Sequence, residues 1–176
     1  MAGPRSRLSP AEIVDRLRAQ FGQDVLAAED VHGHASVELA PSRYVEAANL
    51  LRDDRAFACD YFDFLTAVDE RPKGRGFRVV THVYSTSHNH HVRMNVACDA
   101  DEPHCPSLSN VWAGANWHER ETAELFGIAF DGHPHLVKLV LSEQFEGHPL
   151  RKDFQLMSRV AKPWPGEAEG EGEEDE

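Results

Sequence analysis

Cysteine is scarce in this sequence of 176 residues. Only Cys59, Cys98 and Cys105 are present, and no two of them form a C-x-x-C pair. One iron–sulfur cluster normally requires four cysteine thiolates, so we expect this chain alone to hold no cluster. An odd number of unpaired cysteines also favours reduced thiols in the cytoplasm over a disulfide framework.

Long apolar runs and an excess of positive charge are missing as well. The longest apolar patch, residues 136–141, is interrupted by Lys138 and falls far short of the roughly 18 residues of a membrane span. Arg5 and Arg7 precede no apolar stretch, so we expect no secretory signal. The 18 basic residues are outnumbered by 30 acidic ones, which disfavours non-specific binding to nucleic acid. We therefore expect membrane contact only through docking on another protein.

The sequence patterns that are present indicate an α+β fold. Helical spacing of apolar residues predicts a helix from Pro10 to Phe21 and a second helix that starts at Pro41. Alternating patterns around 62–68, 77–85 and 92–98 predict an antiparallel meander, and shorter strands are expected at 25–28 and 35–39. Helices and strands that do not alternate as βαβ units predict an antiparallel or mixed sheet with helices packed on one face.

The second half of the chain is expected to be less regular. We predict a loop at 103–107, a short helix at 107–112, and a firmer helix at 117–126 that is capped by Asn116. Beyond it, frequent proline and glycine predict an extended segment over 128–165, with at most one short strand at 137–141. This predicts a core domain at 1–127 whose first ~8 residues are flexible.

A segment as long as 128–165 without a core of its own is uncommon in a free-standing domain, so we expect it to wrap a partner. The glycine-rich tail at 166–176, with seven acidic residues, is expected to be disordered.

The sequence offers few arrangements that would support chemistry of its own. His88, His90 and His91 cluster in a predicted turn, and His133 and His135 flank a proline, but neither group has the spacing of a metal site. No glycine-rich phosphate loop or nucleophile elbow is present. We therefore expect no catalytic, cofactor-binding or metal-binding residue.

Three blocks of sequence, in order and spacing, resemble the 30-kDa subunit family of respiratory complex I. They are Trp117–Glu121 with Glu124–Ile128, then Phe130 with Gly132–Pro134, and finally Gly147–Phe154. The resemblance extends from about Pro10 to Phe154. In bacteria, this family supplies the subunit designated C of the proton-translocating NADH:quinone oxidoreductase.

The resemblance implies a peripheral-arm subunit on the cytoplasmic side of the membrane, without flavin or iron–sulfur cluster. It implies packing against the hydrogenase-like subunit of the quinone site, near the neighbouring iron–sulfur subunits. The acidic and basic residues would then position the helix and pair with charges on that partner, and Gly132, His133 and Pro134 would shape an exit turn. The implied interface residues are Glu119, Arg120, Glu121, Glu124, Phe126, Gly127, Gly132, His133, Pro134, Gly147, His148, Pro149, Arg151, Lys152 and Asp153.

Three alternatives remain open at the level of sequence. Membrane-bound hydrogenases and ferredoxin- or F420-dependent complexes contain a similar subunit, because the electron donor binds elsewhere. A stand-alone metal-dependent hydrolase using the histidines and the pair Glu119/Glu121 would show metal and activity in the isolated chain. A free adaptor domain without a redox context is also compatible with the extended segment.

Overall fold

A computed structural model describes residues 7–155 of the chain. The helices and strands follow the order α1 (Pro10–Phe21), β1 (Val25–Val31), β2 (His34–Leu39), α2 (Tyr44–Asp53), β3 (Tyr61–Asp69), β4 (Phe77–Ser85), β5 (His90–Cys98), β6 (His104–Pro106), α3 (Ala115–Phe126) and β7 (Ala129–Asp131). The α+β class predicted from the sequence is confirmed. No helix in residues 7–155 combines the length and the apolar character needed to cross a membrane.

The first helix begins at a capping box that the sequence predicts. The Ser9 backbone N–H donates to the Glu12 carboxylate over 2.8 Å, and the Glu12 N–H donates to Ser9 Oγ over 3.3 Å. These bonds satisfy backbone donors that the first helical turn leaves unpaired. Ile13 and Leu17 are buried at helical spacing, which directs one face of α1 into the core.

Five strands form a mixed sheet in the order β1-β2-β5-β4-β3. The meander β3-β4-β5 is antiparallel, as predicted, whereas β2 pairs with β5 in parallel through the register Ala35↔Val92. Along β4, Val79 and Val83 are buried and the residues that alternate with them are half-exposed. One face of the sheet therefore joins the helices in a single apolar core, while the other face, which we call the outer face, remains partly open.

A second, two-stranded sheet corrects two predictions. Residues 103–107 contain β6, which pairs in parallel with β7 through Cys105↔Phe130. Ile128 and Phe130 are buried, so the folded core extends to Asp131 and does not end at 127. The β6–β7 pair was not predictable from the sequence, because each strand has only three residues, too few to show an alternation of apolar and polar residues.

Three smaller predictions in the second half also change. Residues 108–112 make a single hydrogen-bonded turn instead of a helix, with the Trp112 N–H donating to the Leu108 carbonyl. The helix α3 begins at Ala115 with Gly114 as its N-cap, so Asn116 lies inside the helix. Residues 137–141 form no strand. The residues 1–6, 156–165 and the acidic tail 166–176 lie outside the described part of the chain.

Candidate functional site

Residues 132–155, which we call the C-terminal segment, pack along α3. The carboxylate of Glu124 accepts backbone N–H donors from Leu139, Val140 and Leu141 at 2.9, 2.9 and 2.6 Å. Burial of Glu124 raises its pKa, but the three backbone donors outweigh this and hold the pKa below its usual value. A charged Glu124 is therefore the anchor of this stretch at neutral pH.

Arg120 binds backbone carbonyls of the stretch whose N–H groups are bound by Glu124. Its guanidinium donates to the carbonyls of Val137 and Lys138 at 3.0 and 3.2 Å and lies 5.3 Å from the centre of the Trp117 ring. Glu124 and Arg120, one turn apart on α3, thus bind backbone N–H and C=O groups of residues 137–141. In a sheet, these groups would bond to a neighbouring strand. This explains why residues 137–141 look like a strand in sequence yet form none.

The closing motif 147–154 completes the C-terminal end of α3. The Gly127 N–H donates to the Ala123 carbonyl, and the next carbonyls along the helix accept from His148 Nδ1 (to Glu124, 2.8 Å), the Leu150 N–H (to Leu125, 3.1 Å) and Arg151 Nε (to Phe126, 2.5 Å). All four carbonyls that the last turn leaves unpaired are therefore satisfied. The cationic Arg151 also lies at the negative end of the helix dipole.

Gly127 makes this arrangement sterically feasible. Its φ is +72°, and a Cβ added there would lie 2.5 Å from His148 Nε2 and would also clash with Arg151 Nη2. Only glycine leaves room for both capping side chains.

The segment is fixed to the sheet at a second point. The buried Asp69 carboxylate accepts from the Lys152 N–H at 2.9 Å and from Arg71 Nη2 at 2.7 Å, and Arg71 forms a two-bond pair with Asp153 at 2.8 and 3.1 Å. Hydrogen bonds from Arg71 hold the pKa of Asp69 far below its usual value. Arg151 and Asp153 thus bond within this chain, while Lys152 and Asp153 keep exposed side chains; the pairing of these charges with a partner stays a prediction.

Glu119, one of the implied interface residues, lies inside the protein. Its side chain is fully buried and accepts from Ser107 Oγ at 2.6 Å and from the Leu108 N–H at 2.5 Å. Burial raises its pKa to about 7. Glu119 ties the 107–112 turn to α3 and is inaccessible to another protein.

The remaining predicted interface residues differ in their surroundings. Gly132 has a φ of +83°, and His133 Nε2 donates to the Asn116 carbonyl at 3.2 Å, so the chain turns back towards α3 after β7. Phe126 is buried and packs edge-on against Phe77. Gly147, at φ +87°, makes room for the Phe154 ring. The residues Glu121 and Pro134 are exposed and Pro149 is half-buried.

The histidines group differently from the sequence pattern. His90 is buried and donates to the Phe57 carbonyl, and His88 donates to the Arg55 carbonyl. His91, in contrast, points to the outer face and meets His34 and His82, two residues that the sequence analysis did not single out. Alternation along β4 and β5 could have placed His82 and His91 on one face, but only the parallel β2–β5 pairing brings His34 to them.

The family model and the similar proteins of known identity all indicate the same protein family. The family model described as "Respiratory-chain NADH dehydrogenase, 30 Kd subunit" matches residues 37–160. The chain is 40% identical over 149 residues to the NADH-quinone oxidoreductase subunit designated C in Roseiflexus sp. (strain RS-1), a match that covers 85% of this chain and 86% of the relative. The corresponding protein of Acidithiobacillus ferrooxidans is 40% identical over 82% of this chain and 74% of its own length.

Solved structures give the same answer for the fold. A trypsin-resistant fragment (1-134) of Nqo5 matches with a TM-score of 0.59 at 25% identity and covers 72% of this chain and 98% of the fragment. A chain of the membrane-bound sulfane sulfur reductase, an archaeal respiratory membrane complex, matches with a TM-score of 0.68 at 19% identity, over 94% of this chain and 97% of its own, and shows likeness of fold alone. Together with the sequence matches, these findings show that this chain belongs to the 30-kDa subunit family of the respiratory-chain NADH dehydrogenase, respiratory complex I.

Proposed function

We propose that this chain is a structural subunit in the peripheral arm of a proton-pumping NADH:quinone oxidoreductase, on the cytoplasmic side of the membrane. It docks on the hydrogenase-like subunit of the quinone site, near the neighbouring iron–sulfur subunits. The assembled enzyme passes electrons from NADH through FMN and iron–sulfur centres to quinone and translocates protons. Membership of the 30-kDa subunit family supports this assignment.

The observation that carries the docking proposal is the location of exposed apolar side chains. Among residues 7–155, eight large hydrophobic side chains are exposed, and five of them lie on α3 or the C-terminal segment. We call these five the apolar surface: Trp117, Leu136, Val137, Val140 and Leu150. Large apolar side chains left exposed on one helix and on the segment packed along it indicate a site of protein contact.

The bonds to α3 explain how this surface is kept ready for a partner. Glu124 and Arg120 bind the backbone of residues 137–141, which leaves the side chains of Val137 and Val140 43% and 62% exposed. The segment is thus ordered before contact, and a partner that covers it loses less conformational entropy on binding. Complete burial of a fully exposed side chain of this kind contributes about 1.5–3 kcal/mol, so covering these partly exposed side chains contributes roughly half of that for each.

The surroundings of the acidic and thiol groups support a role without catalysis in this chain. Glu119 is fully buried and bonded to the 107–112 turn, whereas Glu121 is exposed, so the two carboxylates do not converge on a shared pocket. All three cysteines are buried and free, and burial raises the pKa of Cys59 to about 12. Burial keeps all three thiols away from substrates, and the raised pKa keeps Cys59 protonated and therefore a poor nucleophile and ligand.

A pair of matched substitutions tests the docking surface. Val140→Asp places a charge in the apolar surface, and Leu26→Asp places one at a side chain of β1 with similar exposure, 57% against 62%. We expect Val140→Asp to reduce the amount of this chain that co-purifies with the enzyme from native membranes, and Leu26→Asp to leave it unchanged. Equal recovery of the two variants would show that the partner binds elsewhere.

Electron-transfer assays on the same membranes test the wider assignment. We expect Val140→Asp to lower NADH:quinone activity, while NADH oxidation by an artificial acceptor at the flavin module persists. Relatives at 37–40% identity bear the name NADH-quinone oxidoreductase, which favours NADH as the donor. Activity with reduced ferredoxin or F420 and none with NADH would instead assign the chain to a related complex.

A further inference from the structure

Three histidines from three adjacent strands meet on the outer face of the sheet. His34 begins β2, His82 lies in β4 and His91 lies in β5, and these strands are neighbours in the order β2-β5-β4. One ring nitrogen from each histidine lies within 4.8 Å of the other two. The backbone of the sheet thus fixes the spacing of the three imidazoles independently of any loop.

Neighbouring side chains restrict the orientation of these rings. The His82 ring stacks on Phe64 at 5.5 Å and on His91 at 5.2 Å, and the His34 ring meets His91 edge-on at 4.4 Å. His82 Nδ1 donates to the Asp63 carboxylate over 2.8 Å, which leaves Nε2 as the nitrogen with a lone pair. A carboxylate that orients a histidine in this way is the usual outer support of a metal-binding imidazole.

The other two histidines carry ring nitrogens that need a partner. Nδ1 of His34 and Nδ1 of His91 are buried and have no hydrogen-bond partner within residues 7–155. A buried polar atom left unpaired is costly, and coordination of an ion would satisfy it. Burial, and after it the repulsion among the histidines, lowers the pKa of both rings, which keeps them neutral and able to donate a lone pair at neutral pH.

We propose that His34, His82 and His91 bind a single zinc ion on the outer face of the sheet. Imidazole nitrogen suits Zn²⁺, and three histidines leave the fourth position of a tetrahedral ion open to water or to an external donor. Bonds of about 2.0–2.1 Å place tetrahedral ligand nitrogens roughly 3.4 Å apart, so small side-chain rotations close the site. This inference departs from the sequence-based expectation of no metal, and it concerns a face other than the proposed docking surface.

Four charged side chains bear on the affinity of this site. Arg7 and Arg93 lower the pKa of the histidines and oppose a cation, whereas Asp30 and Asp63 act in the opposite sense. Because Asp63 also bonds to His82, its contribution is both electrostatic and orienting. An Arg93→Gln variant is therefore expected to bind zinc more tightly than the wild type.

Zinc titration of the purified full chain, without a histidine tag, tests the proposal. With a competing chromophoric chelator, we expect one zinc ion per chain. His91→Gln is expected to weaken binding by more than about 100-fold, and Asp63→Asn by about 10–100-fold. His32→Asn is the control, because His32 is exposed in the turn just before His34. Unchanged affinity in His91→Gln, or no stoichiometric binding, would refute the site.

A measurement on the wild-type chain makes the test independent of how the variants fold. Zinc X-ray absorption is expected to show only nitrogen and oxygen neighbours at about 2.0–2.1 Å. A sulfur shell at about 2.3 Å would place the ion at a cysteine and overturn the assignment.

Discussion

In the five-stranded sheet, backbone N–H and C=O groups pair with those of the next strand, whereas in the C-terminal segment many pair with side chains. Glu124 and Arg120 bind residues 137–141, and His148 and Arg151 close the end of α3. A strand in a sheet is held by many backbone hydrogen bonds to its neighbours, so one side-chain substitution removes few of them. The segment depends on a few side chains, and single substitutions should release it while the sheet persists.

The largest effect should come from Gly127→Ala. The new Cβ adopts an unfavourable φ and displaces both His148 and Arg151 from the helix end, so the free energy of unfolding should fall by about 3–5 kcal/mol. Chemical denaturation measures the change, and limited proteolysis should show earlier cleavage within 132–150.

Gly132→Ala is the matched control for that substitution. Gly132 has a similar positive φ, but a Cβ added there meets no atom within 4 Å. It should cost only the backbone strain of about 1–2 kcal/mol. If both variants lose the same stability, the cap formed by His148 and Arg151 contributes nothing.

Glu124→Gln should release residues 139–141 specifically. It replaces a charged acceptor of three N–H bonds, which is expected to cost about 2–3 kcal/mol. Hydrogen exchange at the amides of Leu139, Val140 and Leu141 should accelerate, while exchange within β4 stays slow. Glu121→Gln, at an exposed position on the same helix, is the control and should change neither.

The pH dependence of the same amides gives an independent check. Because the folded pKa of Glu124 is lowered, its contribution is present above the unfolded value of about 4.3 and is lost as the pH falls through the folded pKa. Protection of residues 139–141 should therefore persist at pH 7 and disappear on acidification. Protection that stays constant to low pH would contradict an ionised anchor.

Glu119→Gln should change the free energy of unfolding by less, and should raise it where the preceding substitutions lower it. The folded pKa of Glu119 is raised to about 7, so its contribution to stability is greatest below the unfolded value and declines as the pH rises towards 7. The amide oxygen of glutamine can still accept from the Leu108 N–H, and its NH2 group can donate to Ser107 Oγ, so the turn stays attached without a charge. We expect the variant to be more stable than the wild type at pH 8 by about 1–2 kcal/mol, with no gain at pH 4, in denaturant titrations.

Asp153→Asn should have the smallest effect. Its pair with Arg71 is exposed to solvent on the Asp153 side, and the buried Asp69 still holds Arg71 and the Lys152 N–H. Thermal unfolding should change only slightly, and less than in Asp69→Asn. A larger loss in Asp153→Asn than in Asp69→Asn would show that the exposed carboxylate is the true attachment point.

The sequence predicted the sheet and the first helix because local rules determine them. Period-two alternation in β4 and β5 and the capping box at Ser9 are both visible within a few residues. The β6–β7 pair and the missing strand at 137–141 were not predictable in this way. Each depends on a partner distant in sequence: Phe130 for Cys105, and Glu124 for Leu139.

The role of α3 and of residues 147–153 as an interface stays a prediction, and the contacts of these residues within the chain were not predictable. No sequence rule distinguishes a charge that faces a partner from one that caps a helix. The bonds of Arg151 and Asp153 within the chain were therefore not predictable. The burial of Glu119 was not predictable either, because its neighbours in sequence are polar. The histidine cluster was missed because it depends on the parallel register of β2 and β5.

The capped end of α3 has a consequence for biosynthesis. The carbonyls of Glu124, Leu125 and Phe126 acquire their partners only when residues 148–151 have left the ribosome. A nascent or prematurely terminated chain that stops before His148 would expose an unfinished helix end beside the four apolar side chains Trp117, Leu136, Val137 and Val140. Cellular proteases and chaperones would then have a means to distinguish finished copies from incomplete ones before assembly begins.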